Sequence, residues 1–91
     1  MNKENLIQAI SQKTGETKKN VEFMLNAFMQ TVTESLSNGE SVKLTGFGIF
    51  EVKNRAARKG RNPRTSEEIH IPARKVPFFK AGAVLKSSVG N

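Results

Sequence analysis

Apolar residues change their spacing twice along this chain. They recur every three to four positions up to Leu36, alternate with polar residues from Val42 to Val52, and almost vanish between Lys53 and Glu68. The first regime predicts two helices. Asn2 can cap the first, whose face carries Leu6, Ile7 and Ile10 and which Thr14-Gly15 stops after about three turns. Thr17 can cap the second, where Val21, Met24, Leu25, Phe28, Met29, Val32 and Leu36 keep helical spacing until Asn38-Gly39. Phe23 and Ala27 widen that stripe beyond what the short first helix can cover. Either the chain's own strands or a second copy must complete its burial. The marginal core of so small a chain favours the second copy.

The second regime predicts strands. Val42 and Leu44 alternate with Ser41 and Lys43, Thr45-Gly46-Phe47-Gly48 reads as a turn with a large aromatic at the bend, and Ile49, Phe50 and Val52 resume a strand. The two glycines lack the third glycine and following helix of a dinucleotide fingerprint, so a turn accounts for both. The third regime predicts a long ribbon over residues 53 to 75. Its outgoing strand has no apolar face, and on the return Ile69 and Ile71 alternate with Glu68 and His70 before Pro72. The tip falls near Asn62-Pro63, and Gly60 is where a bend or bulge costs least. A two-stranded ribbon with so little to bury is marginal by itself and should be mobile until something binds it. Val76-Pro77-Phe78-Phe79 then forms a strand leading into a short helix over residues 81 to 87. The open start of that helix, beside Lys80, is a competent phosphate site.

Charge sharpens this picture. Of 91 residues, 15 are basic and 8 acidic, for a net charge of +7. Residues 1 to 45 hold five bases and five acids, so the whole excess lies in the second half. Lys53, Arg55, Arg58, Lys59, Arg61 and Arg64 fall within twelve positions that contain no acid. Such asymmetry favours a polyanionic partner, nucleic acid or an anionic membrane surface. A solubilising edge would also be charged. Arginine outnumbers lysine here, however, and its planar fork suits phosphate oxygens and narrow minor grooves. Pro63 at the tip has no N–H to satisfy and presents a compact apolar wedge able to enter between stacked base pairs. A membrane helix would need apolar residues opposite the charges, where this stretch has only Ala56 and Ala57. An RNA platform would carry stacking aromatics, yet Tyr and Trp are absent and all six Phe lie outside the arm.

No catalytic or metal-binding constellation emerges. There is no Cys, His70 is the single histidine and reads as a surface strand residue, and Glu67 and Glu68 are adjacent on a strand and so point to opposite faces. Neither a leader-like apolar run nor a stretch of about 20 apolar residues is present, and the expectation is a soluble intracellular protein.

With these residues in view, the chain closely resembles the bacterial HU family of histone-like DNA-bending proteins, whose relative is integration host factor. The resemblance rests on Gly46-Phe47-Gly48-Ile49-Phe50, on Arg55, Arg58 and Gly60-Arg61-Asn62-Pro63-Arg64-Thr65, on Ile69-His70-Ile71-Pro72-Ala73, and on Val76-Pro77-Phe78-Phe79-Lys80-Ala81-Gly82. It implies an α+β fold forming an intertwined dimer. Residues 1–39 would be a two-helix dimerisation base, and 40–91 a three-stranded antiparallel saddle with a protruding β-ribbon arm and a short C-terminal helix. It implies double-stranded DNA as partner, bound through the minor groove, bent and compacted in the bacterial nucleoid, with kinked, nicked or gapped DNA preferred. No enzyme activity, cofactor, metal, membrane or small-molecule substrate is implied. By the same resemblance Pro63 would be the intercalating wedge, Arg55, Arg58 and Arg61 would face the groove with Lys53 and Lys59 in the same basic stretch, and Asn62 and Arg64 would support the tip. Lys3, Arg74, Lys75, Lys80 and Lys86 would contact phosphates. Met24, Phe28, Met29, Val32, Leu36, Leu44, Phe47, Phe50 and Phe79 would form the dimer interface.

One departure concerns Ala83, which stands where many HU proteins carry lysine, so part of a phosphate clamp would be missing. Ala73 and Lys80-Ala81-Gly82 look more like HU than integration host factor. A homodimer with little sequence preference is therefore expected, the alternative being a sequence-specific bender of the integration host factor type.

Overall fold

Both predicted helix starts are capped by the residues expected to cap them. In the computed structural model, which describes residues 1–90, α1 spans Lys3–Thr14 and α2 spans Lys18–Ser37. The Asn2 side chain accepts the Asn5 N–H at 2.8 Å while Asn5 Oδ1 accepts the Asn2 N–H at 3.2 Å, a reciprocal box that satisfies two donors left over by the helix. Thr17 Oγ1 accepts the Asn20 N–H at 3.1 Å and so caps α2. Both helices end on glycines with left-handed backbone, Gly15 at φ 77° and Gly39 at φ 79°. At the second, Glu40 N–H reaches the Ser35 carbonyl at 2.8 Å and Gly39 N–H the Leu36 carbonyl at 3.0 Å, the pair of bonds that closes a helix C-terminus.

The strands are β1 (Val42–Leu44), β2 (Gly48–Arg55), β3 (Arg58–Arg61), β4 (Glu68–Ile71) and β5 (Arg74–Ala81), followed by α3 (Ala83–Gly90). They form a three-stranded antiparallel sheet in the order β1-β2-β5 and a two-stranded antiparallel ribbon of β3 and β4. The chain divides into two compact units, Met1–Glu34 and Ser35 onward, the division falling inside α2 rather than at the end of the helical region.

Pleating sorts the sheet residues. Val42, Leu44, Phe50, Val52, Pro77, Phe79 and Ala81 share one face, and the opposite face carries Lys43, Ile49, Glu51, Lys53, Arg55, Arg74, Val76, Phe78 and Lys80. Phe79 lies directly across from Phe50 with ring centroids 4.8 Å apart, and Phe47 from the β1–β2 turn joins them at 5.6 Å from Phe79. Gly48 is not part of the turn, as the sequence pattern suggested, but the buried first residue of β2. A Cβ there would meet the Phe79 ring and stand 2.6 Å from the Lys80 carbonyl oxygen.

Three further expectations change. The short helix begins at Ala83, not Ala81, because Ala81 is held in the ladder opposite Gly48 and the Gly82 N–H is bound to the Phe47 carbonyl at 2.7 Å. The ribbon is two-stranded from its base, since β1 reaches only as far as Phe50 and Lys53, Asn54 and Arg55 pair with Val76, Lys75 and Arg74 beyond it. No bulge occurs at Gly60, which pairs regularly with Ile69, and its missing side chain leaves room for Ile71, whose Cδ1 would lie 3.1 Å from an added Cβ. The interruption falls instead at Ala56-Ala57 and Pro72-Ala73, between the two ladders, where Pro72 has no N–H to give. Finally, Phe23 stays 71% exposed and does not extend the buried stripe of α2, because it lies about 200° around the helix from the buried Val21.

Gly48→Ala is expected to lower stability by about 1–3 kcal/mol, the usual cost of forcing atoms into a filled site. Gly60→Ala should cost far less, since only flexible isoleucine tips need to move. Urea unfolding midpoints at equal chain concentration check both.

Candidate nucleic-acid interface

One sheet face carries five cations, Lys43, Lys53, Arg55, Arg74 and Lys80, and a single acid, Glu51. Strand alternation produces this segregation, since Glu51, Lys53 and Arg55 are successive same-face positions of β2, Arg74 is directly across from Arg55, and Lys43 and Lys80 both lie across from Ile49. Lys75 stands apart from the set. It points to the opposite face and donates through Nζ to the Ser37 carbonyl at the end of α2, 3.2 Å away, a favourable position for a cation at the negative end of the helix dipole.

At the interruption between sheet and ribbon, a cleft of about 370 Å³ is lined by Arg55, Ala56, Ala57, Arg58, Ile71, Pro72 and Arg74. Three arginines thus border one recess that they share with the apolar residues Ala56, Ala57, Ile71 and Pro72. Within the ribbon, Arg58 shares a face with Gly60, Ile69 and Ile71, whereas Lys59 and Arg61 share the other with Glu68 and His70. Arg58 and Arg61 therefore do not line a single face, because they are three positions apart and a strand repeats every two. Arg58 groups with the sheet-end arginines and Arg61 with the tip. Lys59 Nζ lies 4.0 Å from Glu68 Oε2, with the two side chains 79% and 65% exposed. A pair so open to water contributes little to stability.

The tip is organised around Asn62. Its side-chain oxygen accepts the Arg64 N–H at 2.9 Å, its own N–H donates to the Glu67 carbonyl at 2.8 Å, and its carbonyl accepts the Ser66 N–H at 2.8 Å. This is the turn an Asn-Pro pair favours, with proline fixing φ at the next position. Ser66 takes φ 60° to close the loop, a left-handed conformation uncommon outside glycine, asparagine and aspartate. Pro63 is left exposed at the end of the ribbon. Lys3 opens α1 and Lys86 lies in α3, both exposed; Ala83 is the first residue of α3 and brings no charge there.

Sequence reading missed two members of this surface. Lys43 alternates with Val42 and Leu44 and so had to face away from the apolar side. Phe78 adjoins Phe79 in a strand, so the two rings had to point oppositely. Phe78 accordingly lies on the cationic face, with the Lys53 ammonium 4.0 Å from its ring centroid.

The residues expected at a dimer interface are largely uncovered. Met24 is 69% exposed and Met29, Phe47 and Phe79 lie between 37% and 49%, while Phe28 is also exposed, Leu36, Leu44 and Phe50 are half-buried, and only Val32 is buried. Among the described residues the buried apolar side chains are Ile7, Val21 and Val32. No helix among them is long and apolar enough to cross a membrane, and they contain no group of three or more His, Asp or Glu placed to hold a metal ion.

Comparison with known proteins places this surface in context. The family described as bacterial DNA-binding protein matches residues 1–90. The chain is 56% identical over 88 residues to the DNA-binding protein HU of Lactococcus lactis, covering 97% of each chain. It is 52% identical over 89 residues to that of Geobacillus stearothermophilus, covering 98% of this chain and 99% of the relative. Among solved structures it is similar to the HU of an Anabaena HU–DNA cocrystal, with a TM-score of 0.88 at 45% identity over 98% of this chain and 97% of the other.

Asn62→Ala is expected to speed hydrogen exchange at the Arg64 amide, while Asn62→Asp, which keeps the acceptor, should leave it protected. Amide exchange followed by NMR on the free protein distinguishes the two.

Proposed function

Because the chain belongs to the bacterial DNA-binding protein family that includes HU, we propose that it is an architectural, histone-like protein of the bacterial nucleoid. It binds double-stranded DNA in the minor groove largely without sequence preference, bends it, and acts by binding rather than catalysis. The observation that carries this reading is the cationic sheet face, which ends in a ribbon whose tip holds an exposed proline on an asparagine-centred turn.

Each part has a role in that reading. Lys53, Arg55, Arg74 and Lys80 on the sheet, with Lys3 and Lys86 on the helices, neutralise phosphates and release counterions. Arg58, Lys59, Arg61 and Arg64 carry that charge along the ribbon into the groove, where narrow walls focus negative potential. Asn62 fixes Pro63 as a wedge between base pairs, partly unstacking them and kinking the duplex. Lys75, tied to the Ser37 carbonyl, contributes chiefly long-range charge.

The working form is a homodimer with two arms. Met24, Met29, Phe47 and Phe79 leave large apolar side chains in water, and a second copy covering them would remove that surface at about 25 cal/mol per Å². Such a dimer carries twice the +7 of one chain. Affinity should fall with salt by a slope of about 0.9 for every phosphate neutralised.

Smooth bending of a short site costs of order 1 to 6 kcal/mol, and nicked, gapped or kinked DNA has already met part of that cost. Competition titration should therefore show tighter binding to nicked than to intact duplex, with little spread among intact duplexes of different sequence. Equal affinity for nicked and intact DNA would overturn the bending mechanism, and a steep preference for one sequence would point to a protein of the integration host factor type. Pro63→Ala should reduce the bend read by end-to-end energy transfer more than it reduces affinity. Sedimentation at micromolar concentration should give about twice the 10.1 kDa chain mass; a monomer would remove the two-armed architecture.

A further inference from the structure

We propose that Phe78 is a positioning residue of the DNA-binding face, one that holds the Lys53 ammonium for a backbone phosphate without cancelling its charge. The inference deepens the reading above and rests on it.

The register sets the geometry. Lys53 pairs with Val76 and Glu51 with Phe78, so Lys53, Glu51 and Phe78 share one face and Phe78 sits diagonally across the ladder from Lys53. Diagonal neighbours on a sheet lie within reach of a long side chain and an aromatic. Lys53 thus has two candidate resting places, the Glu51 carboxylate two residues back on its own strand and the Phe78 ring on the next. It takes the ring, with Nζ 4.0 Å from the centroid.

That choice matters for a phosphate-binding lysine. Ion pairing with a carboxylate offsets the cation's field, since the pair is neutral and must be broken before a phosphate is engaged. Lys59 is in that position beside Glu68. A ring attracts the ammonium through its quadrupole but has no net charge, so the field of the lysine survives. The ring face occupies one side of the ammonium, and N–H donors on the other remain available to phosphate oxygens. The ring contact restricts part of the rotamer freedom that a solvated lysine would lose on binding DNA. Phe78 is 36% exposed, so its ring is only part of the sheet surface and its outer edge is open to solvent.

The test is a double-mutant cycle on nicked duplex DNA at two salt concentrations, using the full chain. Phe78→Leu is expected to weaken binding about 2- to 5-fold, the size of an exposed cation–π contact, with the salt slope unchanged. Lys53→Ala should lower the slope by about 0.9 for each Lys53 that reaches a phosphate. In the Lys53→Ala protein, Phe78→Leu should change nothing further, and in the wild type Phe78→Tyr should retain full affinity because the ring is kept. In the free protein, the Lys53 ε-methylene protons should be shifted upfield by the ring and return to ordinary positions in Phe78→Leu. The proposal is overturned if Phe78→Leu weakens the wild type and the Lys53→Ala protein by the same factor, or if the ring-current shift is absent from the wild type. Failure of the wild type to bind DNA would instead remove the functional reading on which it rests.

Discussion

Eight residues of β2 lie antiparallel to eight of β5, from Gly48 opposite Ala81 to Arg55 opposite Arg74, and the pleat of that pairing separates two chemistries that are mixed along the chain. Side chains alternate across a strand, so a slip of one residue would place Phe50 and Phe79 among the cations and send Lys53 and Arg55 to the apolar side. Register is therefore strongly specified. Gly48 helps to hold it, because the strand can close on the Phe79 ring only where no Cβ intervenes. The turn Thr45-Gly46-Phe47 feeds the same arrangement from the other end, through the Phe47 ring on Phe79 and the Phe47 carbonyl on the Gly82 amide.

Beyond Arg55 and Arg74 this constraint ends and a weaker one takes over. The ladder breaks at Ala56-Ala57 and Pro72-Ala73 and resumes as four residue pairs, with Ile69 and Ile71 close over Gly60 and Lys59–Glu68 as an exposed ion pair. So small a ribbon gains little from burial, which is the condition under which a segment opens at low cost in free energy. The tip differs from the ribbon that carries it. Asn62 ties the loop through three hydrogen bonds, so the proline is presented on a locally determined turn even where the strands behind it yield. A compliant arm with a firm tip can follow a groove and still deliver one apolar group to one base step.

The apolar side chains left on the surface bear on assembly. Among the described residues no side chain larger than valine, leucine or isoleucine is buried, and Met24, Met29, Phe47 and Phe79 remain substantially in water. A chain of this size leaves a large share of its surface exposed in any case, and oligomerisation is the usual remedy where disulfides and metals are not used. The proposed dimer thus follows from the same scarcity of core that makes the arm pliable.

Much of this was legible in the residues themselves. Asn2, Thr17, Gly15 and Gly39 act at the helix ends where their chemistry places them, because capping depends on atoms within a few residues. The concentration of positive charge beyond residue 45 and the Asn-Pro turn were equally local facts. Pairing was not local. That Ala81 belongs to a strand, that Gly48 seats an aromatic ring, that Gly60 continues a ladder while Pro72 and Ala73 interrupt one, and that Phe23 faces away from its helix's buried stripe all depend on partners far along the chain or on the rotation of a whole helix. Arg55, Arg58 and Arg61 look equivalent as a basic run, yet strand alternation and the break at Ala56-Ala57 divide them between a cleft and a tip. Lys53 and Lys75 are likewise both lysines on the same pair of strands. Only the fold decides that one lies on a phenylalanine ring with its charge intact and the other spends its donor on a helix carbonyl, because the face on which a strand residue lands is set by register, and register is a property of two strands together.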